Sequence, residues 1–199
     1  QTKPNQTKPQ SYSCSAEREG EFDITLKVYP NGRASGYLDS VGIGESIVVF
    51  GRGKKQRSPG AFVGLIAYGV GITEALPLAA AELSKPEAEV VHLIWASKTF
   101  GDTFWHDSIS ELSKQYGERF RFTTILSREE REGSLKGRID ASVLSEVFGT
   151  SFGTSSGGKH EARRGEVRFV SVGTKSMMRA TDDMLAEIGY QQNTHALLR

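Results

Sequence analysis

The sequence predicts an α/β fold: a parallel, doubly wound sheet preceded by a stretch of antiparallel β structure. Three observations carry that expectation. From Phe62 onward, short and almost wholly apolar runs alternate with helix-patterned segments, as when strands are buried on both faces by crossover helices. Before Pro59, apolar and polar residues alternate singly, the mark of half-buried strands. A content of 37 % hydrophobic and 25 % charged residues over 199 positions suits one to one and a half globular domains.

The elements follow in order. Residues 1–10 form a near-repeat, QTKPN then QTKPQ, which reads as an extended or disordered lead-in. Phe22, Ile24, Leu26 and Val28 alternate with polar residues and predict a strand that ends at the turn Pro30-Asn31-Gly32. A second β run covers Ser46 to Phe50, closed by the loop GRGKKQRSPG. Phe62 to Ala67 is a buried strand, and ITEALPLAAAEL a helix with Thr73 as its N-cap and Pro77 within or just after its first turn. Strands then follow at Val90–Ala96, Phe120–Leu126 and Val167–Val172, with helices at Asp107–Tyr116, Ser142–Phe148 and Ser176–Ile188. The last helix places Met177, Met184, Leu185 and Ile188 on one face. Trp95 and Trp105 read as core and helix-packing residues, and Arg128 to Gly133 as a solvated loop. GTSFGTSSGGKHEARRG reads as a flexible surface insertion whose basic end could meet an acidic partner.

The balance of 25 basic to 24 acidic residues leaves a net charge of +1, which argues against a nucleic-acid partner. No apolar run reaches the ~18 residues of a membrane span. The chain opens on polar residues without an initiator Met, as a processed or truncated form would. One cysteine, Cys14, excludes an internal disulfide and fits a reducing compartment, cytoplasmic or mitochondrial. His92, His106, His160 and His195 have no metal-ligand spacing with it, so no metal is expected.

The segment LIAYGVGITEA, Leu65 to Ala75, carries the most chemistry. A buried strand runs into Gly69-Val70-Gly71 and then a helix start, where bare backbone and a helix N-terminus suit a phosphate. The third glycine of a full dinucleotide fingerprint is missing, so spacing alone leaves the segment open between a structural turn and a cofactor loop.

Six ordered segments over residues 10 to 190 resemble the ferredoxin–NADP reductase superfamily, and most closely its cytochrome b5 reductase branch. LIAYGVGIT resembles that branch's glycine-rich pyridine-nucleotide loop, AGGTGITP. HLIWASKTFGDTFWHDSISELSKQYGERFRFTTILSR is similar to its second strand, helix and third strand, and GRIDASVLSEVFG to the next crossover. VRFVSVGTKSMM stands where the family has Cys-Gly-Pro-x-x-Met, SYSCS where it has the tail of Arg-x-Tyr-Ser/Thr, and LKVYPNGRASGYLDSVGIGESIVVFG where it has the Gly-x-x-Ser phosphate turn between strands. The resemblance implies a partial FAD-binding β-barrel over residues 11–60, a flavin-domain remnant, and an NAD(P)-binding domain over residues 61–199. Tyr12 would pack on the isoalloxazine, and Ser13 would hydrogen-bond near its reactive nitrogen as the catalytic contact. Tyr29 would touch the flavin, and Gly32, Arg33, Ala34 and Ser35 would hold its pyrophosphate. Gly69, Gly71, Ile72 and Thr73 would line the nicotinamide nucleotide path. Asp102 would accept from the adenosine ribose and so favour NADH, and Gly173 and Met177 would flank the meeting point of nicotinamide and flavin. The implied activity carries electrons from NADH through FAD to a haem-protein acceptor.

The chain departs from the family at Gln10 (Arg), Tyr68 (Gly), Glu74 (Pro), Val172 (Cys) and Thr174 (Pro). These changes, and the missing early barrel strands, keep a second reading open. In it a degenerate relative serves as a structural subunit of a larger assembly.

Overall fold

The structure, a computed structural model, describes residues 12–50, 60–152, 166–190 and 195–197. Gln10, the near-repeat, most of the GRGKKQRSPG loop and the KHEARR cluster lie outside them. The chain divides into two compact units, Gln1–Lys55 and Gln56–Arg199.

The second unit is built on six parallel strands in the order β6-β5-β4-β3-β7-β8. These are β3 (Phe62–Tyr68), β4 (Val90–Ser97), β5 (Phe120–Leu126), β6 (Ser134–Lys136), β7 (Val167–Val172) and β8 (His195–Leu197). The helices are α2 (Ile72–Leu83), α3 (His106–Tyr116), α4 (Ala141–Phe152) and α5 (Lys175–Glu187). Period-2 alternation sorts the sheet's side chains onto two cores. Val63, Leu65, Ala67, Leu93, Trp95 and Val170 pack with Ile72 and Leu76 of α2 and Ile109 of α3. Phe62, Ile66, Ile94, Ile125 and Phe169 pack with Leu144, Phe148 and Phe152 of α4 and Leu185 of α5. Burial on both faces is what makes these strands continuous apolar runs.

The helix α2 begins and ends where the sequence pattern places it, but its cap differs. Gly71 is the N-cap, no side chain caps it, and the Thr73 hydroxyl donates to Val70 O at 2.9 Å instead. At the far end, Arg119 closes the helix by donating to the carbonyls of Leu83, Lys85 and Ala88. Glu82, on the buried face, sits 2.6 Å from Arg168 of β7 and 2.9 Å from Lys85. Burial pushes its carboxyl up, and the bonds from Arg168 and Lys85 outweigh that and leave it below the usual range. On α5, Met178, Thr181 and Leu185 are the buried residues. Met177, expected on the apolar face, is exposed: the buried face runs through Met178, Thr181 and Leu185 at i, i+3 and i+7, which leaves Met177 to its side. α4 runs four residues past its expected end, since Phe152 joins the stack with Phe148.

The first unit holds less regular structure than the alternation predicts. A two-stranded antiparallel hairpin pairs β1 (Ala16–Arg18) with β2 (Glu21–Asp23), turning at Gly20 with φ +76°. Arg18 and Asp23 form a bidentate pair across it, at 2.9 Å each. The strand expected to run to Val28 stops at Asp23, and Ser46–Phe50 forms no strand. Alternation selects a face, but a strand persists only where a neighbour takes its hydrogen bonds. Ile43, Val48 and Phe50 lie exposed. The expected partial barrel is thus, among the described residues, a hairpin followed by α1 (Arg33–Ser40). No helix of the described residues is long and apolar enough to cross a membrane.

Candidate functional site

In the second unit the chain leaves β3 for β4 on one side, while β7 pairs with β3 on the other. The carboxyl ends of β3 and β7 therefore form a topological switch point, where crossovers diverge and open a crevice. The segment Tyr68 to Thr73 lies there. Gly69–Gly71 forms a single 3₁₀ turn that feeds α2. Its two glycines are needed for different reasons. Gly69 has φ +53° and open space around it, so conformation demands glycine. Gly71 has an ordinary φ of −57°, but a Cβ there would lie 2.6 Å from the Val172 carbonyl oxygen. That close approach brings the turn after β3 against the end of β7.

Gly173 follows the same logic: a Cβ there would meet the Tyr68 ring at 2.9 Å. Tyr68 reaches across to α5, where its hydroxyl lies 2.7 Å from the Thr181 hydroxyl. Burial pushes the Tyr68 phenol up, partly offset by that hydrogen bond, so the group stays neutral at ordinary pH. Gly69, Gly71, Ile72, Thr73 and Gly173 are thus gathered at one end of the sheet. Met177, exposed on the first turn of α5, is on the same connection after β7.

Asp102 stands at the neighbouring position, in a 3₁₀ turn (Phe100–Asp102) after β4. Its carboxylate accepts from the Thr99 hydroxyl at 2.9 Å and its N–H donates to Thr99 O. The segment Arg128–Gly133, expected to be a solvated loop, is tied to this turn. Glu129 accepts from the Phe100 N–H at 2.9 Å, and the Arg131 guanidinium lies 3.6 Å from the Phe100 ring centroid. His106 stacks on Phe100 at 4.7 Å. Trp105 holds φ 61°, the one positive value for a non-glycine among the described residues. A left-handed residue of this size costs about 1–2 kcal/mol, an outlay found where a loop must keep one shape. The ties from Glu129 and Arg131 had no local signal in the sequence, since a run of charges is the ordinary sign of solvent.

The first unit presents its own helix N-terminus. Gly32 is the N-cap of α1 and its N–H donates to Tyr29 O at 2.9 Å. Buried Ser35 accepts from the Tyr29 N–H at 3.2 Å and donates to Gly32 O. A Cβ on Gly32 would lie 2.2 Å from the Ser35 hydroxyl oxygen, so the Gly-x-x-Ser spacing is set by this contact. Tyr29, Gly32, Arg33, Ala34 and Ser35 are thereby brought together, with Arg33 exposed. Tyr12 is exposed and Ser13 half-buried, upstream of the hairpin. Among the described residues no group of His, Cys, Asp and Glu could hold a metal.

A parallel sheet with a glycine turn and a carboxylate at the carboxyl ends of adjacent strands defines the class of nucleotide-binding α/β domains. The oxidoreductase NAD-binding domain family matches residues 65–183, and the oxidoreductase FAD-binding domain family matches residues 2–55. The chain belongs to the oxidoreductase NAD-binding domain family and is cytochrome b5 reductase-like. It is 33 % identical over 113 residues to NADH–cytochrome b5 reductase 1 of Arabidopsis thaliana, covering 55 % of this chain and 40 % of that protein. The Dictyostelium discoideum protein of the same name is 34 % identical, with the same coverages. The chain thus spans about two fifths of the length of these curated relatives. The cytochrome b5 reductase domain of Ulva prolifera nitrate reductase superposes with a TM-score of 0.75 at 19 % identity, covering 99 % of this chain and 81 % of that one. A ferredoxin NADP+ reductase from Neisseria gonorrhoeae with bound FAD and NADP gives 0.71 at 18 %, covering 95 % and 78 %. At these identities the two structures speak for the fold.

Proposed function

We propose that the chain contributes the nucleotide-binding part of a flavin-dependent oxidoreductase that passes electrons from NADH via FAD to a haem-protein-type acceptor. The observation that carries this reading is the pairing of the Gly69–Gly71 turn with Asp102 at the carboxyl ends of β3 and β4. When bound, the two cofactors supply the chemistry, a hydride from dihydronicotinamide to flavin and then single electrons to the acceptor. The protein's part is to bind and orient.

Backbone at Gly69–Gly71 and the uncapped start of α2 suit a pyrophosphate. Asp102, held by Thr99, suits a ribose 2′-hydroxyl and opposes a 2′-phosphate, hence NADH rather than NADPH. In the first unit, Arg33 and the N-terminus of α1 suit the flavin phosphates, with Tyr12, Ser13 and Tyr29 toward its ring. The acceptor class rests on the relatives, which are named as NADH–cytochrome b5 reductases. A cytoplasmic or mitochondrial setting belongs to the same proposal and rests on the single free thiol of Cys14.

Tyr68 and Glu74 favour the second reading, a structural subunit. One adds bulk at the switch point, and the other sets a carboxylate in the first turn of α2. Absorption spectra decide between the two. A protein that takes up FAD, turns yellow and bleaches on NADH is the reductase. A protein that stays colourless in excess FAD ends that reading for this chain.

A further inference from the structure

Trp95 sits in the middle of the core, yet its indole does more than fill space. It lies on β4 opposite Ala67 of β3, two residues before Gly69, and its side chain is fully buried. Its Nε1–H donates to Gly69 O at 2.7 Å. The same carbonyl also accepts from the Ile72 N–H. The indole donor is fully buried, so the Gly69 carbonyl that it binds points into the protein. In a planar trans peptide the C=O and N–H point in opposite directions. The N–H of Val70, the other half of that peptide, therefore faces outward at the switch point. Gly69, in the left-handed region at φ +53°, precedes a right-handed turn, and such a pair of conformations makes a concave nest of N–H groups.

Gly69 by itself does not fix the orientation, and the only local hold on its carbonyl is the Ile72 N–H of the same turn. Gly69 has open space around it and, as glycine, tolerates either hand. A peptide rotated by half a turn would present a carbonyl oxygen where an anion is to bind. The indole restrains that rotation, because turning the carbonyl away would leave its own N–H unpaired in a fully buried place. Trp95 is in turn held by Phe104, edge-on at 5.4 Å. Phe104 belongs to the segment that carries Asp102, so the pyrophosphate turn and the ribose carboxylate share one support.

We infer that Trp95 is a positioning residue for the nucleotide's pyrophosphate, locking the Gly69–Val70 peptide with its N–H outward. The inference rests on the nucleotide-binding reading above. The test compares ADP-ribose and AMP binding to the full chain and to Trp95→Phe, by calorimetry well below the melting temperature. Phe keeps most of the packing and removes the donor. ADP-ribose should bind the variant about three- to tenfold more weakly, the worth of one hydrogen bond. AMP, which lacks the pyrophosphate, should bind both proteins alike.

A purely structural Trp95 would lower the melting temperature and leave both affinities unchanged, and that result overturns the inference. Should Trp95→Phe not fold, the wild-type indole N–H resonance decides, read in a Trp105→Phe background. It should shift saturably with ADP-ribose, and a resonance that does not move overturns the inference. A wild-type chain that binds no ADP-ribose removes the nucleotide reading and this inference with it, whereas binding with equal affinities removes the inference alone.

Discussion

His92 makes the fold sensitive to mild acid in a way that can be measured. It lies on β4, 5 % exposed, with its Nε2 2.8 Å from the Thr123 hydroxyl and its ring edge-on to Phe148 at 5.7 Å. Burial pushes the imidazole down from 6.5 to about 4, and the charge of Arg121 adds to the effect. Above pH 6.5 the ring is neutral in both folded and unfolded chains and contributes no pH dependence. Below that, the unfolded chain binds a proton that the folded chain refuses until about pH 4. Stability therefore falls with falling pH across this window and levels off beneath it.

One proton costs about 1.4 kcal/mol per pH unit, so the full window removes about 3 kcal/mol. That is a large share of the roughly 5–15 kcal/mol that holds a domain of this kind, and about 10 °C in melting temperature. The assay is urea unfolding by circular dichroism at steps from pH 7.5 to 4.5, for wild type and His92→Gln. The carboxamide can still bond Thr123 but does not titrate. Other carboxylates cancel in the comparison. Among them is Glu82, whose lowered value gives stability that is complete above its unfolded value and is lost only as pH falls below it. The difference between the two proteins should change by about 3 kcal/mol over the range. A difference that stays constant with pH would refute the assignment of a buried, neutral His92.

Other predictions concern the switch point. Gly71→Ala should destabilise the second unit by about 1–3 kcal/mol in thermal melts, since the new Cβ meets backbone at Val172, which cannot move aside like a side chain. Glu74→Gln should tighten NADH binding about fivefold, by removing a charge beside the pyrophosphate worth about 1 kcal/mol; equal dissociation constants would count against a nucleotide at the start of α2. Removing the clamp with Glu129→Ala should weaken NADH about fivefold by loosening the turn that carries Asp102, while flavin content stays constant. Asp102→Ser should narrow the preference for NADH over NADPH, read as the ratio of kcat/KM values.

Much of the second unit was legible from residue order alone. β5, β7 and α2 fall where their patterns put them, because a strand apolar on both faces and a helix bounded by glycine and serine leave few other solutions. The resemblance of ordered motifs singled out Gly69–Thr73, Asp102 and Gly173 as nucleotide contacts, and the fold sets them after the carboxyl ends of β3, β4 and β7. The short edge strands β6 and β8 leave no mark in the pattern, since three residues carry no periodicity. The strand expected through Val28 failed for the converse reason, its period being correct and its partner absent among the described residues.

Local chemistry therefore determined which segments would be strand, helix or glycine turn, and which residue types stood at the crevice. Only the tertiary structure decided how those residues are held. Register sets Trp95 beside Ala67, and that pairing aims an indole N–H at Gly69. The fold brings Glu129 and Arg131 back onto Phe100, and the approach of β7 makes glycine obligatory at Gly71. Each is a contact between distant parts of the chain, and no pattern within either part encodes the distance between them.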